Sequence, residues 1–439
     1  MRTTKIFRVK DISSFKDQLA KWCSRHEVFA FHCSNNYHLR QTRASLFPPY
    51  DILAATGAQE MLACKQGSAF GALRSFISEK KDWYFGIMAY DLKNETEKLS
   101  SSNADFLGFK DMYFFRPEIV FRLIHSELEI CYNNKYTENE IDKIYDEIIN
   151  LKTAFESVPC NNIVMSQRIS KEEYFSRFSK IKDHIARGDI FEMNFCIESY
   201  AGNAPINPLQ VYLKLTEISP SPYSCFYRFN DKYVISSSPE RYLAKTGDKI
   251  ISQPMKGTVK RGASALLDQK QVQLLKNSKK EQSENIMIVD LVRNDLSKIA
   301  VKDSVTVEEL CGIYTYATVH QMVSTVMCRL SPEFDAIDAI TSSFPMGSMT
   351  GAPKVRAMQL IEEYEETKRG VYSGAAGYFT PESDFDFNVL IRTLLYNQSN
   401  QYLSFTTGGA ITASSEAVSE YEECMLKAAA LKKAVNLSI

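Results

Sequence analysis

Segments typical of strands and segments typical of helices follow one another along this chain in no regular order. The runs at 82–92 and 111–124 are rich in aromatic and branched apolar residues, as strands are. The stretch 133–152 instead spaces its isoleucines along one face of an amphipathic helix. A doubly wound parallel sheet would need a repeated strand–helix–strand rhythm, so the pattern predicts an α+β fold.

Further elements are predicted from the same periodicities. Helices are expected at 170–189, 279–297 and 416–435, and strands at 372–379, 386–396 and 402–408. Ser170 and Glu173 have the spacing of a capping box at the start of their helix. The polar stretch 155–164 resembles a linker, so we place the main boundary there, between an N-terminal lobe at 1–160 and a larger catalytic domain at 161–439.

The bulk composition excludes several classes of protein. The 439 residues include 52 basic and 53 acidic ones, so no charge excess indicates nucleic acid or an anionic membrane as a partner. No signal-peptide pattern and no apolar run of membrane-spanning length is present. The ten cysteines are scattered and form no CxxC pair, which is typical of reduced thiols in the cytoplasm.

The segment QPMKGTVKRG, at 253–262, contains a lysine with two possible interpretations. Pro254 and Gly257 bracket Lys256, and two more cations follow, as in many exposed turns. The alternative is that the amine of Lys256 performs a reaction. Its local sequence favours the turn, and only the rest of the chain can change that preference.

Two pairs of glutamates stand three residues apart on predicted helices, Glu281 with Glu284 and Glu420 with Glu423. Residues at this spacing share a helix face, so each helix can direct two carboxylates to one point. Four oxygen donors suit a hard cation such as Mg²⁺. The structural alternative is an ordinary surface ion pair of Glu423 with Lys427, at the spacing of one helical turn.

Several other residues are candidates for binding or catalysis. Arg392 lies in an apolar run and needs either an internal carboxylate or a ligand anion, and these two alternatives are equally compatible with its sequence. Ser348 and Thr350 precede a predicted helix in GSMTGAPK, which lacks the spacing of a nucleotide-binding P-loop but suits an anion contact. The glycines of TTGGA allow close backbone approach to a carboxylate. His320, in an apolar run, is by itself more typical of a hydrogen-bonded core residue.

Eight segments in this order resemble the chorismate-utilising enzymes, a family that includes component I of anthranilate synthase and of aminodeoxychorismate synthase, and the isochorismate and salicylate synthases. They are SSSPERYL, QPMKGTVKRG, SENIMIVDLVRNDLSKIA, VHQMVSTV, FPMGSMTGAPKVRAM, GVYSGAAGY, NVLIRT and EYEECMLKA. The resemblance spans about 166–435 and extends weakly into 83–101. It implies two opposed antiparallel sheets flanked by helices, with the active site between them.

The resemblance also implies roles for individual residues. Mg²⁺ would be held by carboxylates matching Glu281, Glu284, Glu420 and Glu423, and would bridge to the ring carboxylate of chorismate. Tyr378, Arg392, Gly408, Gly409 and Lys427 match positions that hold the carboxylates of the substrate, and His320 matches a histidine near the ring.

Lys256 separates the activities of the family. Members that make anthranilate resemble this stretch with alanine, whereas those that make aminodeoxychorismate carry a lysine that attacks the ring. Neighbouring cations such as Lys260 or Arg261, or burial, would lower the pKa of that amine. Glu240 matches the proposed general acid/base. Glu192 departs from the family, because amidating members carry glutamine and hydrating members lysine at its position.

These features predict aminodeoxychorismate formation, with anthranilate formation or a non-catalytic chorismate-binding subunit as alternatives. The sequence contains no glutaminase nucleophile motif, so we expect ammonia from a separate glutamine amidotransferase subunit and a later PLP-dependent lyase. The segment VFAFHCSNNYH does not match the LLES segment of tryptophan-inhibited members, so feedback control by tryptophan is not expected.

Overall fold

The computed structural model describes residues 2–35, 37, 50–153 and 163–436. The strands of these residues, β1 to β20 in chain order, are Thr3–Arg8, Val28–Cys33, Ile52–Cys64, Tyr84–Met88, Met112–Ile124, Glu127–Tyr132, Ser166–Gln167, Glu192–Ala201, Tyr223–Phe229, Lys232–Ser238, Arg241–Thr246, Lys249–Gln253, Met255–Lys260, Thr306–Thr315, Val319–Arg329, Gly351–Ala352, Ala375–Phe379, Phe385–Val389, Thr393–Asn397 and Tyr402–Thr412. Their helices, α1 to α11, are Ile12–Cys23, Ala69–Ser78, Lys93–Thr96, Glu138–Ile149, Lys171–Ala186, Pro208–Ile218, Ala265–Asn277, Lys279–Ser297, Ala336–Ser343, Lys354–Tyr364 and Ala417–Val435.

The strands pair in antiparallel ladders that form two arms meeting at β5. One arm runs from β5 through β3, β2, β9, β10, β19 and β20 to β8. The other runs from β5 through β4, β17, β18, β11 and β12 to β15, which also pairs with β13 and β14. The predicted α+β fold with antiparallel sheets is confirmed.

The two arms pack face to face around one apolar core. Alternate residues of β2 show this division, since Val28 and Ala30 enter the core between the arms whereas Phe29 and Phe31 enter a second core. The second core lies between the first arm and helices that include α1, α6 and α11. The first arm is therefore buried on both faces.

The predicted helices are present, and two begin with a full capping box. Ser170 and Glu173 cap α5 as expected, and Thr137 with Glu140 caps α4 in the same way. The prediction of one strand over 386–396 is wrong. Arg392 has a φ of 51°, which interrupts the ladder and separates β18 from β19.

The predicted boundary cannot be judged directly, since residues 155–162 of the proposed linker lie outside the described residues. The ladders do cross it, because β2 pairs with β9 and β4 pairs with β17. The division into two lobes stays a prediction. Within the described ranges, no helix is both long and apolar enough to cross a membrane.

Candidate active site

Lys256 lies on a strand rather than in a turn, so the local interpretation of its segment is wrong. Its Nζ donates a hydrogen bond of 2.6 Å to Oε1 of Glu192, the first residue of β8. The side chain of Lys256 is 11% exposed and that of Glu192 is 0% exposed. The two residues therefore form an ion pair that is almost completely withdrawn from water.

The expected decrease in the pKa of Lys256 is not found. Burial alone lowers the pKa of this amine, but the charges of Glu192, Glu284 and Glu240 together outweigh burial, with Glu192 acting most strongly, so the pKa lies above its ordinary value. Of the cations expected to act on it, Arg261 forms a bidentate pair with Asp268 instead, and the side chain of Lys260 is exposed. The amine is consequently an ammonium in the resting protein.

A bulge directs β13 toward the helix that carries two of the predicted glutamates. The register of β13 with β15 shifts between Met255 and Thr258, and Gly257 has a φ of +85° there. A Cβ at Gly257 would lie 2.9 Å from Oε2 of Glu281. Glycine suits both the positive φ and the close carboxylate at this position. The same close approach shows that the strand segment next to Lys256 lies against the carboxylates of α8.

Glu240 is a second buried carboxyl group of the site. Its side chain accepts a hydrogen bond of 2.6 Å from Oγ of Ser348, and the residue is 4% exposed. Burial raises the pKa of Glu240 to about 7, while the Ser348 hydroxyl and the nearby Lys256 lower it. A carboxyl group that titrates near neutral pH can both donate and accept a proton.

The loop that carries Ser348 is held by buried polar contacts. Nδ2 of Asn194 donates to the carbonyl of Ser348 at 2.7 Å, and the carbonyl of Thr350 accepts from the backbone N–H of Asn194 at 2.8 Å. The Thr350 hydroxyl donates to the carbonyl of Gly347 at 3.2 Å. Ser348 thus faces Glu240, whereas the hydroxyl of Thr350 is used within its own loop.

The four predicted metal ligands lie around Lys280. Its Nζ is 3.4 Å from Oε1 of Glu420 and 3.9 Å from Oε1 of Glu284, so one ammonium bridges the two helices. Burial raises the pKa of Glu284 to about 7 and also raises that of Glu281. Oε1 of Glu284 is buried without a hydrogen-bond partner. The positive charge of Lys280 and Lys256 near Glu281 and Glu284 therefore does not fully offset the burial of these two carboxylates.

That charge deficit is the condition in which a cation binds. Among the described residues, no three His, Cys, Asp or Glu side chains are already grouped at the distances of a metal site. The donors are nevertheless all carboxylate oxygens, which suit Mg²⁺, and one of them, Oε1 of Glu284, is buried without a hydrogen bond. Residues Glu281, Glu284, Glu420 and Glu423 therefore fit a divalent cation if their side chains draw together around it.

Glu423, on α11, also forms the ion pair with Lys427 that the structural alternative predicts. Nζ of Lys427 lies 2.8 Å from Oε1 of Glu423 and donates to the carbonyl of Gly408 at 2.9 Å. Lys427 lowers the pKa of Glu423. A Cβ at Gly409 would lie 3.1 Å from Oε2 of Glu420, so the glycine backbone approaches this carboxylate closely. This geometry is compatible both with Glu420 and Glu423 as metal ligands and with Glu423 as one half of a surface ion pair.

Arg392 has the environment of an anion-binding residue. Within the part of the chain that the structure describes, no carboxylate forms an ion pair with its guanidinium. Burial lowers the pKa of Arg392 for that reason. A half-buried guanidinium without a carboxylate partner among the described residues favours the second of the two alternatives for Arg392, a ligand anion.

Two predicted site residues have contacts elsewhere. Nε2 of His320 lies 2.8 Å from Oδ1 of Asp268 and Nδ1 lies 2.9 Å from Oγ1 of Thr315, so both ring nitrogens are occupied. The ring of Tyr378 packs with those of N-terminal residues, among them Trp83 at a centroid distance of 5.7 Å. The roles of His320 and Tyr378 in the site stay predictions.

Sequence reasoning missed two buried residues beside the site. The Tyr372 hydroxyl lies 3.7 Å from Sγ of Cys196, which stands opposite Gly408 in the β8–β20 ladder. Arg369 donates from Nη1 to the carbonyl of Met349 at 2.6 Å and from Nη2 to that of Asn194 at 3.1 Å. Tyr372 stands in the same GVYSGAAGY motif as Tyr378, so the motif itself is the signal that could have indicated it.

Comparison with known proteins agrees with the resemblance seen in the motifs. A family model described as chorismate binding enzyme matches residues 26–433. Aminodeoxychorismate synthase component 1 of Bacillus subtilis (strain 168) is 32% identical over 363 residues, 80% of this chain and 77% of that protein. Anthranilate synthase component 1 of Aquifex aeolicus (strain VF5) is 32% identical over 370 residues, 80% and 74% of the two chains.

Solved structures show the same relationship. Anthranilate synthase component I from Streptococcus pneumoniae TIGR4 matches with a TM-score of 0.77 and 26% identity, over 88% of this chain and 93% of that one. The family model covers most of the sequence, and the relatives align over most of both chains. The chain therefore belongs to the chorismate-binding enzymes.

Proposed function

We propose that the chain is component I of an aminodeoxychorismate synthase, which converts chorismate and ammonia to 4-amino-4-deoxychorismate for p-aminobenzoate and folate synthesis. The observation that carries this proposal is the position of Lys256, whose amine is almost buried and is acted on by the charges of Glu192, Glu284 and Glu240. Overall identity does not decide between the two activities, because relatives of both names are 32% identical. The lysine is the feature that favours aminodeoxychorismate.

In the proposed reaction, Lys256 acts as the nucleophile. Its neutral amine attacks C2 of the chorismate ring, the two ring double bonds shift by one position each, and the C4–oxygen bond breaks. Ammonia then attacks C4, the double bonds shift back, and the bond between C2 and the lysine nitrogen breaks. The enzyme is regenerated, and one hydroxyl group of chorismate has been exchanged for an amino group.

Glu240 supplies and recovers the proton that this exchange requires. The hydroxide leaving C4 takes the proton of the Glu240 carboxyl group and departs as water. The nitrogen newly bound at C4 then returns a proton to the carboxylate. A pKa of about 7, set mainly by burial, suits a group that must act in both directions.

The remaining residues of the site would hold the substrate. Arg392, Lys427 and the glycine backbone at 408–409 offer positive charge and N–H groups to its carboxylates. Residues Glu281, Glu284, Glu420 and Glu423 would hold Mg²⁺, which when bound neutralises the ring carboxylate and orients the ring. The hydroxyl of Ser348 keeps the Glu240 side chain in place.

The nitrogen source and the later step lie outside this chain. We propose that a separate glutamine amidotransferase subunit delivers ammonia and that a PLP-dependent lyase acts on the product, in the cytoplasm. Ammonium salts replace the first of these partners in an assay, so the chemistry of this chain can be tested alone.

The test is to incubate the protein with chorismate, Mg²⁺ and ammonium and to identify the product by mass and retention. Aminodeoxychorismate supports the proposal, and anthranilate supports the activity named for several relatives. Unreacted chorismate together with measurable chorismate binding supports a non-catalytic subunit.

Lys256→Ala tests the covalent role directly. We expect this variant to lose aminodeoxychorismate formation by at least about 100-fold, the lower range for removal of a group that acts in the transition state. Lys260→Ala is the matched control, because Lys260 lies on the same strand with an exposed side chain. Near-normal turnover by Lys256→Ala would refute the nucleophilic role.

A further inference from the structure

Glu192 has an environment that its sequence position did not explain. Its side chain is 0% exposed, and Oε1 accepts the 2.6 Å hydrogen bond from Lys256. Oε2 is also buried and has no partner among the described residues. A carboxylate withdrawn from water and bonded through one oxygen to a single ammonium is costly, so a function for the arrangement has to be considered.

The proposed reaction requires that the lysine first lose a proton. An ammonium has no lone pair, and the charge of Glu192 keeps Lys256 in the ammonium form. The carboxyl groups whose charges act on this amine include Glu192 on β8, Glu240 before β11, Glu281 and Glu284 on α8, and Glu423 on α11. Of these, only Glu192 lies within hydrogen-bond distance of Nζ in the described part of the chain.

We propose that Glu192 accepts the proton of Lys256 and so generates the amine that attacks the substrate. The proton moves from Nζ to Oε1 across the existing hydrogen bond, which leaves a neutral amine and a neutral carboxylic acid. After attack, the lysine nitrogen carries two hydrogens and a positive charge. When the bond to C2 breaks, the lysine leaves as a neutral amine and recovers its proton from Glu192.

This assignment makes Glu192 a positioning and proton-accepting residue that acts through Lys256. The inference rests on the proposed covalent function and is specific to this chain, since amidating members of the family it resembles carry glutamine at this position. A glutamine side chain of the same size accepts a hydrogen bond from the ammonium but cannot take its proton. An aspartate can take the proton, but it is one methylene shorter and reaches Nζ less well.

The test measures the covalent step without ammonia. Wild-type protein, Glu192→Gln and Glu192→Asp are mixed with chorismate and Mg²⁺, and intact-protein mass is followed for an adduct of chorismate less one water. Chorismate affinity is measured in parallel by calorimetry. We expect Glu192→Gln to form the adduct at least about 100-fold more slowly, with its chorismate affinity changed by less than about three-fold. Glu192→Asp should recover part of the rate.

The outcomes separate this inference from the proposed function. An adduct that forms in the wild-type protein and equally fast in Glu192→Gln overturns the role of Glu192 and leaves the lysine chemistry intact. If the wild-type protein forms no adduct while releasing aminodeoxychorismate with ammonium, the covalent step and this inference both fail. If Glu192→Gln does not fold, the rate of adduct formation by Glu192→Asp is compared with the wild-type rate instead. A slower adduct at unchanged affinity supports the inference, and the wild-type rate contradicts it.

Discussion

Lys256→Met should destabilise the free protein through the partner it leaves behind. The substitution keeps the length of the side chain but removes the ammonium, so neither oxygen of Glu192 retains a hydrogen bond among the described residues. Breaking a buried ion pair by removing one partner costs about 3–5 kcal/mol. The Glu192 side chain is 0% exposed, so we expect a decrease in the free energy of unfolding within this range.

The double variant Lys256→Met with Glu192→Met separates the loss of the pair from the loss of packing. Replacing both members of a buried pair by apolar side chains is often neutral or stabilising, so its free energy of unfolding should return to within about 1 kcal/mol of the wild-type value. It should still form no aminodeoxychorismate, because it has no nucleophile.

The measurement is urea unfolding without substrate or Mg²⁺, followed by tryptophan fluorescence. Lys260→Met, an exposed change on the same strand, is the control and should alter the free energy of unfolding by less than about 0.5 kcal/mol. The reasoning is refuted if Lys256→Met is as stable as this control, or if the double variant is no more stable than the single one.

Three further changes test the other charges of the site. Wild-type activity should fall as pH rises through about 7, where Glu240 loses its proton. Ser348→Ala removes a hydrogen bond that favours the charged carboxylate of Glu240, so the fall in the pH–rate profile of this variant should move to higher pH. Lys280→Ala removes an ammonium that competes for Glu420, and calorimetry should show Mg²⁺ affinity increased by up to about five-fold, as a partly exposed pair allows. Arg392→Met should leave the unfolding midpoint of the free protein unchanged, since the guanidinium has no internal carboxylate in the described structure, and raise the KM for chorismate at least about ten-fold.

Features set by neighbouring residues could be predicted from the sequence. The capping box of Ser170 with Glu173 fixes the start of α5 through contacts within one turn. The spacing of Glu281 and Glu284 places both carboxylates on one face of α8 for the same reason. That Lys280 would bridge to Glu420 was not predictable, because the contact depends on how two distant helices pack.

Features set by distant strands could not be predicted locally. The run 386–396 is mostly apolar, yet Arg392 adopts a φ of 51° between two ladders that pair with different strands. The Pro and Gly around Lys256 indicate a turn, but pairing with β15 makes the segment a bulged strand. The side chain opposite the lysine amine, Glu192, stands on a strand far away in sequence, and nothing near either residue indicated the contact.

The ladders that cross between the two ends of the chain also set an order for folding during synthesis. Val28–Cys33 finds one of its partner strands at Tyr223–Phe229, and Tyr84–Met88 finds one of its own at Ala375–Phe379. Both early strands leave the ribosome long before these partners exist. Each therefore presents an unpaired edge until at least half of the chain has been made, which slows folding and exposes the nascent chain to aggregation.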